Sequence, residues 1–232
     1  MKNDTNARMG IKALLIMTML GGGTLISGCT QDPAEGLRNQ GLQLYQEGDY
    51  DAALDKFNQA LTYNESEPRA NYYAGVTEYK LGKYEQAAYY YKMAWTVDPD
   101  YGDVKAALAN TLIKEGKTNE AMNFLERNAA LTGQISDRLL VAQFYQKIGD
   151  LDDAKVNYER CVALAQDDPT ILMQAGIFYD SIGQKDQAIT VYEQAYRIDP
   201  TTPGLYDRLN ADGVVISEIL PPPSTTAPSN SP

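Results

Sequence analysis

Five glycines fall at Gly48, Gly82, Gly116, Gly149 and Gly183, spaced by 34, 34, 33 and 34 residues, and the sequence around them repeats in step. Five residues after each stands an alanine: Ala53, Ala87, Ala121, Ala154 and Ala188. Four further on is a large side chain, Phe57, Tyr91, Leu125, Tyr158 or Tyr192, and three beyond that come Ala60, Ala94, Asn128, Cys161 and Ala195. Seven residues before each glycine is a small residue: Gly41, Gly75, Ala109, Ala142 or Gly176. Asp-Pro closes two of the units, at Asp98-Pro99 and Asp199-Pro200. A period of this length, kept in phase five times, demands one supersecondary unit copied and stacked along an axis.

The residue types say what that unit is. Glycine takes the left-handed conformation that ends a helix, so each unit reads as two antiparallel helices meeting at its glycine. The small residues in mid-helix let two backbones approach, and the large residue fills the space that this leaves. Tyrosine suits such places because its ring packs while its hydroxyl reaches a partner or water. That accounts for much of a bias of 17 tyrosines against 4 phenylalanines. One helix pair buries too little surface to stand alone, so neighbours must supply the core.

Over residues 34–202 the pattern resembles the tetratricopeptide repeat, in units 34–67, 68–101, 102–134, 135–168 and 169–202. The resemblance implies an all-α, right-handed superhelical α-solenoid of about five helix-turn-helix repeats that binds other proteins. The third unit departs most, with Asn128 in an alanine place and Thr132-Gly133 where Asp-Pro would stand. Two readings apply there: a displaced helix with the polar residue facing water, or a binding feature. Residues 203–220 are expected to cap the solenoid, through Leu205, Tyr206 and Leu209 on a short helix over 204–211. Val214, Val215, Ile216, Ile219 and Leu220 are apolar enough to dock, at places that the repeat does not fix. Residues 221–232 hold only Pro, Ser, Thr, Ala and Asn and are expected to be disordered.

The start of the chain is of another kind. Lys2, Arg8 and Lys12 stand against one acid, Asp4, and an apolar run from Ala13 to Leu20 leads to Ile26-Ser27-Gly28-Cys29. This is the layout of a secretory signal, too short to span a bilayer. Met9-Gly10-Ile11-Lys12 would serve equally as its beginning. The last four residues resemble the bacterial lipobox, which implies a lipoprotein signal peptide at 1–28, lipidation of Cys29 and acylation of the new amino terminus by palmitate or a similar chain. Residues 29–33 are then a lipidated linker. An ordinary signal with a chance cysteine is the alternative. Thr30 replaces the aspartate that in many Gram-negative bacteria retains a lipoprotein at the inner membrane, so the periplasmic face of an outer membrane is favoured where the envelope has two. Cleavage removes three positive charges and one negative, moving the chain from −11 to −13. So acidic a body is held by its lipid, not by attraction to anionic head groups.

Composition leans against several other functions. There is no histidine. That removes the Ser-His-Asp and Cys-His nucleophile arrangements and the commonest metal ligand, and two cysteines cannot build a zinc site alone. No pair of carboxylates stands apart from the solvated helix faces, so neither enzyme nor cofactor is expected. The acidic clusters Asp98, Asp100, Asp103 and Asp150, Asp152, Asp153 lack the closing glutamate of a calcium loop and read as solvated turns. A net charge of −11 argues against nucleic acid. Cys161 reads as a buried thiol. The expected partners are other proteins, with the membrane reached through Cys29.

The repeat phase also gives the positions on the first helix of each unit that face inward, where such solenoids hold a peptide or helix. Arg38 and Tyr45 in the first unit join Arg69, Tyr72, Tyr73, Tyr79 and Lys80 in the second to make an aromatic, locally basic groove. Tyr and Arg are enriched at binding hot spots. The alternative is that these tyrosines pack between helices. The third unit adds Asp103, Ala106, Ala107, Asn110, Ile113 and Lys114; the fourth Leu139, Leu140, Gln143, Gln146 and Lys147; the fifth Met173, Gln174, Ile177 and Asp180. The Lys/Asn/Asn/Lys/Arg clamp by which some tetratricopeptide domains grip chaperone tails is missing, since Arg38, Leu42, Tyr73, Asp103 and Ala107 stand at its places. A membrane-tethered adaptor for pilus, secretion or other envelope complexes is the leading expectation, and a self-assembling structural protein the second.

Overall fold

The structure is a computed structural model that describes residues 32–165 and 167–219. Cys29, the signal segment and residues 221–232 lie outside them. The described residues are helices joined by turns, with no strand among them. The first unit is α1 (Pro33–Glu47) with α2 (Tyr50–Tyr63), and the second is α3 (Pro68–Lys80) with α4 (Tyr84–Val97). The third is α5 (Val104–Lys114) with α6 (Thr118–Thr132), the fourth α7 (Ile135–Ile148) with α8 (Leu151–Leu164), and the fifth α9 (Pro169–Ser181) with α10 (Lys185–Ile198). Two short helices follow, α11 (Leu205–Ala211) and α12 (Ile216–Ile219). Each helix of the repeat packs on the next along the chain, which is the arrangement of a superhelical solenoid. No described helix is long and apolar enough to cross a membrane.

The five glycines are where the sequence reading puts the bends. Gly48, Gly82, Gly116, Gly149 and Gly183 have φ between 76° and 85°. Each donates its N–H to the carbonyl three residues back, and the next residue donates to the carbonyl five back, as in Gly48 to Tyr45 at 3.1 Å and Asp49 to Leu44 at 2.9 Å. This paired closure satisfies the last carbonyls of the first helix. The second helix then starts at once. In the first and fourth units Asp49 and Asp150 accept from the N–H three residues on, at 3.1 and 3.2 Å.

The small and large positions meet as complements. A Cβ added to Gly41 would stand 2.7 Å from the Phe57 ring, one added to Gly75 would stand 2.9 Å from Tyr91, and one added to Gly176 would run into the Tyr192 ring. Ala53, Ala87, Ala121, Ala154 and Ala188 are all fully buried beside them. The core is a row of patches. Ala53, Phe57 and Ala74 form one; Tyr91, Leu108, Leu112 and Leu125 anchor another; Tyr158, Leu172, Phe178 and Tyr192 a third. Helix α7 joins the last two, giving Val141 and Phe144 to one and Leu139 and Ala142 to the other.

The third unit is irregular in a way of its own. Helix α6 ends on left-handed Gly133, φ 65°, and α7 begins two residues later, the shortest link between units. Asn128 does not face water; it is 7% exposed. The joint is held instead by Asp137, 4% exposed, whose carboxylate accepts from Lys105 Nζ at 2.6 Å and from Thr132 Oγ1 at 2.6 Å. Burial opposes the charge on Lys105, but hydrogen bonds to Asp137 and Asp100 outweigh it and raise its pKa. At the far end, Leu205 and Leu209 are fully buried against the fifth unit, whereas Tyr206 is 54% exposed and takes no part in that packing. On a helix of two turns only one stripe meets the body, and 205 and 209 share it. Ile219 is buried in the same patch, with Val214 and Ile216 packed against it.

Candidate protein-binding face

Tyr45, Tyr72, Tyr73 and Tyr79 are all half-buried, while Arg69 and Lys80 are exposed. The rings form a connected group. Tyr72 lies 5.4 Å from Tyr73, 5.7 Å from Tyr91 and 5.4 Å from Tyr101, centroid to centroid. Tyr73 stacks on Phe57 at 5.9 Å, Tyr45 leans on Tyr50 at 5.3 Å, and Tyr79 meets Tyr84 edge-on at 5.2 Å. These spacings fall in the range where offset and edge-to-face pairs are favoured. Each tyrosine thus packs with one side of its ring and remains partly accessible, so both readings of them apply in part.

Arg38 is different. Its side chain is 11% exposed, with Nη1 3.3 Å from Glu67 Oε1 and Nη2 3.7 Å from Glu35. Glu67 in turn caps α3 by accepting from the Ala70 N–H. The guanidinium ties the first unit to the start of the second and is not free to meet a ligand. Reversing its charge would disturb that joint as well as any groove.

Burial raises the pKa of the Tyr45 phenol, with Tyr50 adding to it. Burial raises the Tyr72 pKa, helped by Asp103, Tyr73 and Tyr45. Burial also raises Tyr91, with Tyr72, Tyr45 and Tyr79 adding to it. Tyr101 is pushed up to about 12, first by burial and then by the neighbouring Tyr73. Tyr91 and Tyr101 were not among the groove residues read from sequence. Tyr91 counts there only as the large core residue of its unit; its register over Gly75 is the signal that could have placed its ring beside Tyr72.

The same face continues into the next units. A cleft of about 990 Å³ is lined by Tyr79 of α3, Asn110, Ile113 and Lys114 of α5, Lys147 and Ile148 of α7, and Asp150 and Asp152 at the start of α8. Lys147 contacts Asn110 and lies 5.5 Å from the Phe144 ring. Lys80, Lys114 and Lys147 occupy one repeat position, two residues before the glycine, and are all exposed. Leu139 and Met173 belong to the core, each 8% exposed. Among the described residues no group of three or more Cys, Asp or Glu is placed to hold a metal.

Helix pairs with small-over-large crossings, closed at each glycine and opening a face of first helices, define a class of helical-repeat scaffold. Models described as tetratricopeptide repeat match residues 38–101, 78–130, 138–168 and 169–202. The chain belongs to the tetratricopeptide-repeat family. A TPR repeat-containing protein of Methanocaldococcus jannaschii is 22% identical over 165 residues, covering 67% of this chain but 29% of that one. A thermophilic TPR protein of Thermus thermophilus is similar in structure, with a TM-score of 0.50, 25% identity and coverage of 78% of this chain and 100% of that one. MamA of Desulfovibrio magneticus RS-1 also has a TM-score of 0.50, at 16% identity over 75% of this chain and 98% of its own. The fold is that of a protein–protein interaction scaffold.

Proposed function

We propose that this protein is a lipid-anchored scaffold of a bacterial envelope, tethered through Cys29, on the periplasmic face of the outer membrane where the envelope has two. It holds segments of partner proteins along the inner face of its first helices, during assembly of pilus, secretion or other envelope complexes. The observation that carries the reading is the continuous face from the half-buried tyrosines of α3 to the lysine-edged cleft across α5 and α7. Tyrosine offers rigid apolar area with a polar tip, and exposed lysines add charge contacts that need no burial.

The test has two arms. Replacing Cys29→Ser should move the protein from the membrane fraction to the soluble fraction; continued membrane residence would overturn the anchor. For the face, residues 30–220 are immobilised against a detergent extract of the source envelope. Capture of a defined envelope protein, reduced by Lys114→Glu with Lys147→Glu and unchanged by Lys155→Glu on α8, supports the groove. Capture indifferent to the groove charges would place binding elsewhere.

A further inference from the structure

The tyrosine hydroxyls differ from unit to unit. In the fourth unit Tyr158 donates to Gln146 Oε1 at 3.0 Å, and in the fifth Tyr192 donates to Asp180 Oδ2 at 2.8 Å. Both acceptors stand three residues before the glycine of their unit, so the large residue of the second helix reaches under the first and is satisfied there. In the second unit the same two positions are Tyr91 and Tyr79, and the equivalent of Tyr79 in the first unit is Tyr45. Tyr91 finds no carboxylate or amide at that place. Its ring lies beside Tyr72, and the hydroxyls of Tyr45, Tyr72, Tyr79 and Tyr91 have no hydrogen-bond partner among the described residues. Neutral donors and ring faces therefore gather at the junction of the first two units, where repeat logic elsewhere pairs the donor internally.

The matching ligand is apolar, uncharged and rich in free carbonyls. The buried cation of the junction, Arg38, is already paired with Glu67. A polyproline II segment fits: it has no internal hydrogen bonds, so each carbonyl is available, and its pyrrolidine rings pack on aromatic faces. Residues 221–232 suit it in being uncharged and proline-rich, with five prolines, three of them consecutive, beside six Ser, Thr or Asn. We propose that the tyrosine junction of units one and two is a polyproline-recognition site whose occupant is segment 221–232 of a second copy of this chain. The proposal rests on the groove reading above and names a ligand for it. A second copy is specified because the segment follows α12, which packs on the fifth unit. Three units at 8–10 Å between packed helices is about 30 Å. Twelve residues of polyproline II extend about 37 Å, at ~3.1 Å each, which leaves little of the segment to fill the site within one molecule. Head-to-tail contacts of this kind build rings where the rotation between copies closes and open chains where it does not.

The experiment uses the full chain in detergent and a version lacking 221–232, with a synthetic peptide of residues 220–232 as probe. The full chain should associate as concentration rises, the shortened chain should not, and the peptide should bind the shortened chain and dissociate the full one. Tyr72→Phe and Tyr79→Phe keep the rings and should each weaken peptide binding by up to about tenfold, the worth of one hydrogen bond. A peptide with alanine at every proline should not bind. Equal binding of that peptide, or none of the native one, overturns the inference. If the native peptide fails while groove-dependent capture of an envelope protein persists, the scaffold function stands and only this occupant is wrong; if both fail, the groove itself is.

Discussion

At the residue scale the crossings of the helix pairs are the tightest constraint. Gly176→Ala would drive a methyl into the ring of Tyr192, and Tyr192 is itself fully buried. Overpacking of this kind costs about 1–3 kcal/mol, or a fall in melting temperature of about 2–4 °C per kcal/mol. Gly36→Ala is the control: nothing lies within 4 Å of the added atom, so the gain in helix propensity should leave stability equal or higher by up to ~1 kcal/mol. Thermal melts of the two variants check both. These crossings were legible in the sequence because the period pairs each small residue with one large one. The state of Arg38 was not. Its phase on α1 places it inward, but phase says nothing of Glu67 arriving from the next unit.

At the scale of elements, the joint between the third and fourth units departs from the repeat. The sequence marks the place, since Asn128 and Thr132-Gly133 break the pattern, yet it does not show that Asp137 takes over. That depends on α6 running to Gly133, which carries Thr132 to the carboxylate while α5 brings Lys105 from 32 positions away. Asp137→Ala leaves a nearly buried lysine with only exposed Asp100 for company. The loss should be near the lower end of the 3–5 kcal/mol that follows from unpairing a buried charge, about 3 kcal/mol. The double change Asp137→Leu with Lys105→Met should recover much of it, because an apolar pair carries no desolvation cost. Urea midpoints of the two variants measure the difference. Leu209→Ala on α11 tests the cap and should cost about 2–5 kcal/mol, against little effect for Tyr206→Ala on its exposed side.

Over the whole molecule, two behaviours follow from the patched core. The largest patch gathers around α9 and is closed by α11 and α12, whereas the first unit has only small ones. Amide exchange should therefore be slower in α9 and α10 than in α1 and α2, and equal protection throughout would show a single cooperative core instead. The second behaviour is alkaline. Burial pushes the Cys161 thiol from 9.0 up to about 11, and Tyr158 and Tyr179 from 10.0 up to about 12. Folded-state values raised above unfolded ones mean stability fully present below about pH 9 and lost as pH climbs through about 11–12. Melting temperature against pH should be level near neutrality and fall steeply above about 9. The fold was legible at this scale because one period recurs five times; the site was legible only as a face, since which hydroxyls are already engaged depends on the second helix reaching under the first. A core divided among neighbouring pairs has one more consequence. A block of 34 residues can be duplicated or excised in frame with least disturbance where a joint follows the repeat; the joint of the third and fourth units, held by Asp137 and Lys105, is specific to its two partners. The length of the inner face is then a quantity that gene duplication can set, provided that the unit-specific joints and the cap are kept together.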